Sequence, residues 1–241
     1  MNKNTTYKQL EDKLVKYKDL KDIPVKENGD VFVSLRPSKP ETYGAIGQYE
    51  ALGDMKDKFP LVPIRKSVSR RLDLVDKALK EINGNLQLVI AYGFRSLEIQ
   101  QYYFEIQKKK YLESGNLENE SIDEVIHRLI AVPTVAGHPT GGAVDVYIRD
   151  SQTGAVLDSG VPIFTFDSKD VYTFSPFVSE EAQKNRNLLR RAMMSQNFAP
   201  YDGEWWHFSF GDKEWAFYYQ QPFAIYEQKS EKVVYTDVQK Q

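Results

Sequence analysis

The stretch Glu204-Trp205-Trp206-His207 limits what this chain can fold into more than any other: it sets a carboxylate and an imidazole three positions apart among large apolar side chains. A buried His and a buried Glu are costly unless paired or metal-bound, so two tryptophans around them imply a dry, shaped site. These are the parts of a metal-assisted hydrolase, and the rest of the chain has to supply the other ligands.

The chain has 3 histidines, His127, His138 and His207, and no cysteine. Disulfides, thiolate zinc sites and thiol nucleophiles are thereby excluded, and any metal must sit on nitrogen and oxygen. A catalytic zinc takes His and carboxylate ligands and keeps a position open for water. His138, Asp145 and His207 make such a set for one zinc ion. The turn Pro139-Thr140-Gly141-Gly142 allows His138 to fold back over the strand that begins at Ala143. Alternation along that strand puts Val144, Val146 and Ile148 on one face and Asp145 on the other. Alone, the pair reads first as a turn His hydrogen-bonded to a strand Asp; Glu204-x-x-His207 favours the metal.

Zinc would polarise a scissile carbonyl and lower the pKa of its water from about 15.7 towards about 7. Glu204 would take the water's proton and pass it to the leaving amine, its bland alternative being a salt bridge at a hairpin. Positions three apart in an ideal strand face opposite ways, so a bend or bulge is predicted at Gly203-Glu204. Arg95, in Tyr92-Gly93-Phe94-Arg95-Ser96, reads as a fork for a substrate carboxylate or an oxyanion, or as ordinary surface charge. His127 follows Asp123 by four residues, a surface-pair spacing, and receives no role.

Lys and Arg number 32 against 34 Asp and Glu, with no long single-sign block, which disfavours nucleic acid or an anionic membrane as partner and favours a small substrate. The N-terminus has no apolar leader and no stretch is long and apolar enough to span a bilayer, so a cytoplasmic protein is expected. Tyr7, Leu10, Leu14, Tyr17 and Leu20 describe one amphipathic helix. Val31 to Val33 reads as a strand, and residues 36–53 as a loop rich in Pro, Gly and Tyr.

Helices are predicted from Val68 to Ile82, from Ser96 to about Leu112, from Ser121 to Ile130 behind a Ser121/Glu124 capping box, and from Ser179 to Asn197. Leu86 to Ala91 reads as a strand. Trp206 to Phe210 and Glu214 to Tyr219 read as a hairpin about Gly211-Asp212, and the polar tail from Gln228 as loose. No βαβ period or repeat appears, so the class is α+β: a single domain with a small central antiparallel sheet flanked by helices and a zinc site on the sheet. The divisions are an N-terminal helical extension at 1–25, a zinc peptidase domain at 26–227 and a polar tail at 228–241.

At these residues the chain resembles the zinc D-alanyl-D-alanine dipeptidases of the vancomycin-resistance type, within the wider D,D-carboxypeptidase and dipeptidase family. The resemblance covers roughly residues 30 to 225. It runs through Gly93-Phe94-Arg95, His138-x-x-Gly141-x-Ala143-x-Asp145, Thr153-Gly154, Phe166-Asp167, Glu181-Ala182-Gln183, Asn185-Arg186, Leu189-Arg190, Met194 and Asn197-Phe198 to Glu204-Trp205-Trp206-His207. It implies an α+β zinc peptidase with His138, Asp145 and His207 as ligands, Glu204 as general base and Arg95 as transition-state stabiliser. It further implies that Asp167 receives the substrate's free amino terminus. The departures are Ala136-Gly137, where the family carries two serines, Ser96 for its proline, and Pro37 for its aromatic.

The leading expectation is a zinc-dependent dipeptidase acting on D-Ala-D-Ala or a close dipeptide in peptidoglycan turnover. The second is a D,D- or L,D-carboxypeptidase acting on longer peptidoglycan peptides, and the third a non-catalytic peptide-binding module on the same fold. The oligomeric state is not legible in the sequence.

Overall fold

A computed structural model describes residues 3–35, 62–115 and 118–240. The loop expected at 36–53, with Pro37, Tyr43 and Tyr49, lies outside the described residues. The N-terminal segment forms two helices, α1 (Lys3–Glu11) and α2 (Tyr17–Leu20), instead of the single helix predicted. The break has a tertiary cause: the Glu124 carboxylate accepts from the Tyr17 and Lys18 backbone N–H groups at 2.9 and 2.8 Å, starting a second helix with a borrowed cap. Tyr7, Leu14 and Leu20 are buried as the apolar spacing requires.

β1 (Phe32–Leu35) pairs antiparallel with β2 (Val62–Arg65), and the chain passes directly into α3 (Lys66–Ile82). Val68, Leu72, Val75 and Leu79 of α3, three or four apart, are all buried. They pack on β3 (Leu86–Tyr92). The main sheet has the order β3-β4-β6-β5 and is antiparallel throughout, with β4 at Ala143–Asp150, β5 at Ala199–Pro200 and β6 at His207–Ser209. The remaining helices are α4 (Leu97–Ser114), α5 (Ile122–His127), α6 (Glu180–Ser195), α7 (Lys213–Tyr218) and α8 (Glu231–Gln239). α6 packs beside α3.

The architecture is therefore a mixed α+β domain on small antiparallel sheets. Ser96, Ser121 and Ser179 cap α4, α5 and α6, their hydroxyls accepting from Ile99, Glu124 and Ala182 N–H. No helix among the described residues is long and apolar enough to cross a membrane.

Three expectations are corrected. The helix that starts at Ser121 ends at His127, short of Ile130. The second arm of the hairpin is a helix, because the Asp212 carboxylate accepts from the Trp215 N–H at 2.8 Å and starts α7 as an N-cap. The tail is not loose: α8 packs on β1, with Val234 fully buried and the Asp237 carboxylate accepting from the Phe32 N–H at 3.2 Å.

Candidate metal centre

The register of the main sheet assembles the site. Asp145 on β4 pairs directly with His207 on β6, and Tyr92 on β3 lies opposite Asp145 on its other side. Directly opposed residues share a face, so Asp145 and His207 project together. Ala143 and Gly142 lead back to a short 3-10 turn, His138–Thr140, which ends at Gly141 with φ +72°. A Cβ at Gly141 would sit 2.2 Å from the Phe32 ring, so both the backbone angle and the packing require glycine there. This turn folds His138 back over the strand.

The donor atoms of His138, Asp145 and His207 all lie within 4.8 Å of one another. His138 Nε2 is 3.4 Å from one Asp145 oxygen, and His207 Nδ1 is 3.0 Å from the other. His138 donates from Nδ1 to the Gly93 carbonyl at 2.7 Å, which leaves its Nε2 lone pair facing Asp145. Such a backbone partner fixes the tautomer a metal ligand needs. Two neutralisable imidazoles and a carboxylate, converging with no other side-chain partner for Asp145 among the described residues, fit a divalent ion with nitrogen and oxygen preference.

Burial holds the His138 pKa down to about 4 against the opposing pull of Asp145. Burial also works against protonation of His207, but the Asp145 hydrogen bond and charge, with Glu214 and Glu204, lift it to about 9. The paired imidazoles keep Asp145 far below the usual carboxylate range despite its burial. The proton shared by Asp145 and His207 is the one an ion would replace.

Glu204 lies not in the strand but in the turn before it, where the His207 N–H donates to the Glu204 carbonyl at 3.0 Å. The bend expected at Gly203-Glu204 is present, and it relieves the facing problem. A Cβ at Gly203 would meet the Tyr201 ring at 2.5 Å, so this turn has no room for a larger residue. Arg190 of α6 grips Asp202 through Nε at 3.0 Å and Nη2 at 3.2 Å, anchoring the turn. Burial raises the Glu204 pKa to about 7, with Asp145 adding to the rise and His207 and Arg95 opposing it.

Arg95 also reaches the site. Its Nη1 donates to Gln100 Oε1 at 3.1 Å, Gln100 Nε2 donates to the Ala131 carbonyl at 2.8 Å, and the guanidinium lies 5.0 Å from the Tyr92 ring. Its backbone N–H donates to the His138 carbonyl at 3.4 Å. His138, Asp145, Glu204, His207 and Arg95 all line one pocket. Trp206 walls that pocket, packed edge-on by Phe164 and Phe166. The structure does not bring Asp167 to this group: its side chain is exposed, and the pocket wall in that loop is Phe164 and Phe166.

His127 is not a surface residue. It is buried, lines the same pocket, and accepts the Val132 N–H on Nδ1 at 3.2 Å. Burial lowers its pKa to about 4, so it is neutral with its proton on Nε2. Its spacing from Asp123 is right, but Tyr17 covers that face at 6.1 Å and Asp123 pairs instead with Lys108 at 3.5 Å.

Two features of the wall were missed in the sequence. Val15 and Leu20 of the N-terminal segment line the pocket. Glu214, in the first turn of α7, also lines it, with one carboxylate oxygen 3.8 Å from His207 Nε2. Ala136 and Gly137 line the pocket where two serines were expected, and a Cβ on Gly137 would fall 2.1 Å from Asp212 Oδ2. The space of one missing side chain is thus filled by a carboxylate from the far side of β6.

Comparison with known proteins gives a family model described as D-ala-D-ala dipeptidase, which matches residues 60–229. A D-alanyl-D-alanine dipeptidase of Synechocystis sp. is 27% identical over 227 residues, covering 83% of this chain and 89% of that protein. A D-alanyl-D-alanine dipeptidase of Escherichia coli is 32% identical over 80 residues, covering 33% of this chain and 40% of that protein. Among solved structures, the LdcB LD-carboxypeptidase aligns with a TM-score of 0.43 at 18% identity, over 88% of this chain and 79% of the other.

Proposed function

The chain belongs to the D-Ala-D-Ala dipeptidase family of metallopeptidases, and from that premise we propose that it hydrolyses D-Ala-D-Ala with one zinc ion held by His138, Asp145 and His207. The observation that carries this reading is the convergence of those three donor groups within 4.8 Å, on the wall of a pocket that also holds Glu204 and Arg95. Zinc held there supplies Lewis-acid polarisation of the scissile carbonyl and makes the attacking water acidic.

The protein groups divide the remaining work. Glu204, with its pKa raised to about 7 by burial, is poised to take a proton from the attacking water and return it to the leaving amine. Arg95, held in place by Gln100 and the Tyr92 ring, meets the negative charge that develops on the carbonyl oxygen. Trp206, Phe164 and Phe166 exclude water from the reacting centre, which strengthens both effects. Val15 and Leu20 add apolar wall to the same pocket, which favours a small substrate. Asp167, the expected partner of the substrate's amino group, is exposed on the segment whose Phe164 and Phe166 line the pocket.

The test uses zinc-loaded protein with D-Ala-D-Ala, L-Ala-D-Ala, D-Ala-L-Ala and a pentapeptide ending in D-Ala-D-Ala, with amine release as the readout. The expected result is turnover of D-Ala-D-Ala and little release from the pentapeptide; rapid release from the pentapeptide would favour the carboxypeptidase reading. His207→Ala is expected to lose zinc and activity together, and full activity in a zinc-free His207→Ala protein would sink the scheme.

A further inference from the structure

His127 lines the catalytic pocket, yet it holds no metal and moves no proton in the reaction. It is 5% exposed, and burial keeps it neutral. From the last residue of α5 its ring turns back to accept the Val132 N–H on Nδ1 at 3.2 Å, and the Tyr17 ring covers it at 6.1 Å.

The peptide it holds is shared. The Val132 N–H and the Ala131 carbonyl belong to one rigid, planar unit. Gln100 Nε2 donates to that carbonyl at 2.8 Å, and Gln100 Oε1 accepts from Arg95 Nη1 at 3.1 Å. Gln100 is 1% exposed, and its amide has only this orientation, because a guanidinium can only donate and a carbonyl can only accept. Three hydrogen bonds therefore run one way, from the Arg95 guanidinium through two amides to an imidazole. Bonds linked in this sense polarise and strengthen one another. Such a chain has to end on a lone pair, which a neutral histidine with its proton on Nε2 supplies.

Other ties stop short of this peptide. The Arg128 carbonyl accepts from the Tyr201 hydroxyl at 2.8 Å, and the Arg128 guanidinium binds Glu118 and Glu120. The Ile130 N–H closes on the Ile126 carbonyl at 2.8 Å. Ala131 and Val132 lie beyond these bonds, and Pro133 follows with no N–H to give. Gln100 and His127 thus set the peptide plane from its two edges.

We propose that His127 is a positioning residue for Arg95: its Nδ1 lone pair anchors the far end of the chain through the Ala131–Val132 peptide and the Gln100 amide, which aims the guanidinium at the reacting carbonyl. The dipeptidase reading is needed for what Arg95 does there, not for the chain itself. Loss of the anchor frees the peptide to tilt, and Gln100 and Arg95 follow it. The charge on the carbonyl oxygen develops only in the transition state, so the loss falls on kcat and not on KM.

The experiment separates positioning from general support of the fold. His127→Phe keeps the ring and loses the acceptor, His127→Asn places an amide oxygen where Nδ1 stands, and Gln100→Leu cuts the chain at its centre. Each zinc-loaded protein is melted, assayed for zinc and followed on D-Ala-D-Ala. His127→Phe is expected to lower kcat by roughly tenfold to a hundredfold, with KM within about twofold and zinc retained. His127→Asn should recover most of that loss, and in the Gln100→Leu background His127→Phe should lower kcat no further. An unchanged kcat, an equal loss in His127→Asn, or losses that add to that of Gln100→Leu would overturn the proposal.

A second readout needs no activity. In the metal-free protein the two Arg95 Nη resonances are expected to be resolved by NMR, to merge in His127→Phe and to stay resolved in His127→Asn; resolved resonances in His127→Phe would also overturn the proposal. If His127→Phe does not fold, Gln100→Leu carries the test. The Val132 amide proton should move upfield when its chain is shortened, and an unmoved resonance would refute the chain. A wild-type protein that shows these NMR signatures yet leaves D-Ala-D-Ala intact would end the dipeptidase reading while the chain stood.

Discussion

Glu204 couples catalysis to the stability of the protein. Burial lifts its pKa from the ordinary 4.5 to about 7, so the metal-free folded state holds the proton more tightly than the unfolded chain. Its contribution is fully present below pH 4.5 and is lost as pH rises through 7, by about 3 kcal/mol. Zinc-free Glu204→Gln is therefore expected to match wild type in urea melts near pH 4 and to exceed it by about that amount at pH 8; equal stability at pH 8 would show that the carboxylate is not desolvated. In the loaded enzyme the nearby cation lowers this pKa, so kcat/KM should fall on an acid limb at or below pH 7, about tenfold per unit. Glu204→Gln should keep its zinc and lose about a thousandfold in kcat. These residues were legible in the sequence because metal chemistry without cysteine admits few side chains. Glu214 and His127 were not, since a helix-borne Glu and a His four residues after an Asp are ordinary surface patterns, and only tertiary cover makes them otherwise.

At the level of elements, capping explains most of what the sequence did and did not disclose. Ser121 and Glu124 were read together as a reciprocal box. Ser121 does its part, but the Glu124 carboxylate goes instead to the Tyr17 and Lys18 N–H groups of α2. A capping residue can serve a helix a hundred positions away, and nothing in local spacing reveals it. The hairpin failed for the opposite reason. The signal is present in Asp212, a strong N-cap type three residues before Trp215, but Gly211-Asp212 is equally a turn pair that suits a hairpin. The long helices α3 and α6 needed no such help, because their apolar stripes repeat at helical spacing over many turns. Glu124→Ala is expected to destabilise the 12–21 segment by about 1–2 kcal/mol. Amide exchange at Val15 to Leu20 should quicken while exchange in β4 stays the same, and uniform quickening would mean the segment has no separate stability.

On the scale of the whole molecule, distant parts of the chain close over the site. Arg65, 1% exposed and sandwiched between the Phe32 and Tyr226 rings, donates to the Glu27 carboxylate and to the carbonyls of Asp30, Thr140 and Glu227. It thus joins the N-terminal region, the turn bearing His138 and the chain leading to α8. An α+β class with a small antiparallel sheet followed from the mix of helical stripes and short strands. The pairing of Asp145 with His207 did not, because strand register is set by packing across the sheet. The last helix belongs to this closure: removal of residues 229–241 exposes the face that Val234 buries and frees the Phe32 N–H. A chain ending at Gln228 is expected to melt roughly 5–10 °C lower, and an unchanged melting temperature would make α8 a passenger.

The N-terminal wall of the pocket is fastened from outside, by Glu124 on α2 and by Lys213 on the Lys21 carbonyl. Val15 and Leu20 line the pocket from that segment, and Leu20 is also buried against Phe104, Ile126, Val132 and Val135. Selection by length is then a population and not a fixed aperture. If the segment opens at a cost of about 4 kcal/mol, roughly one molecule in a thousand admits a longer peptide at any instant. Pentapeptide hydrolysis by the protein should therefore rise with amide exchange at Val15 to Leu20, in proportion, across variants that loosen the fastenings without touching the metal ligands.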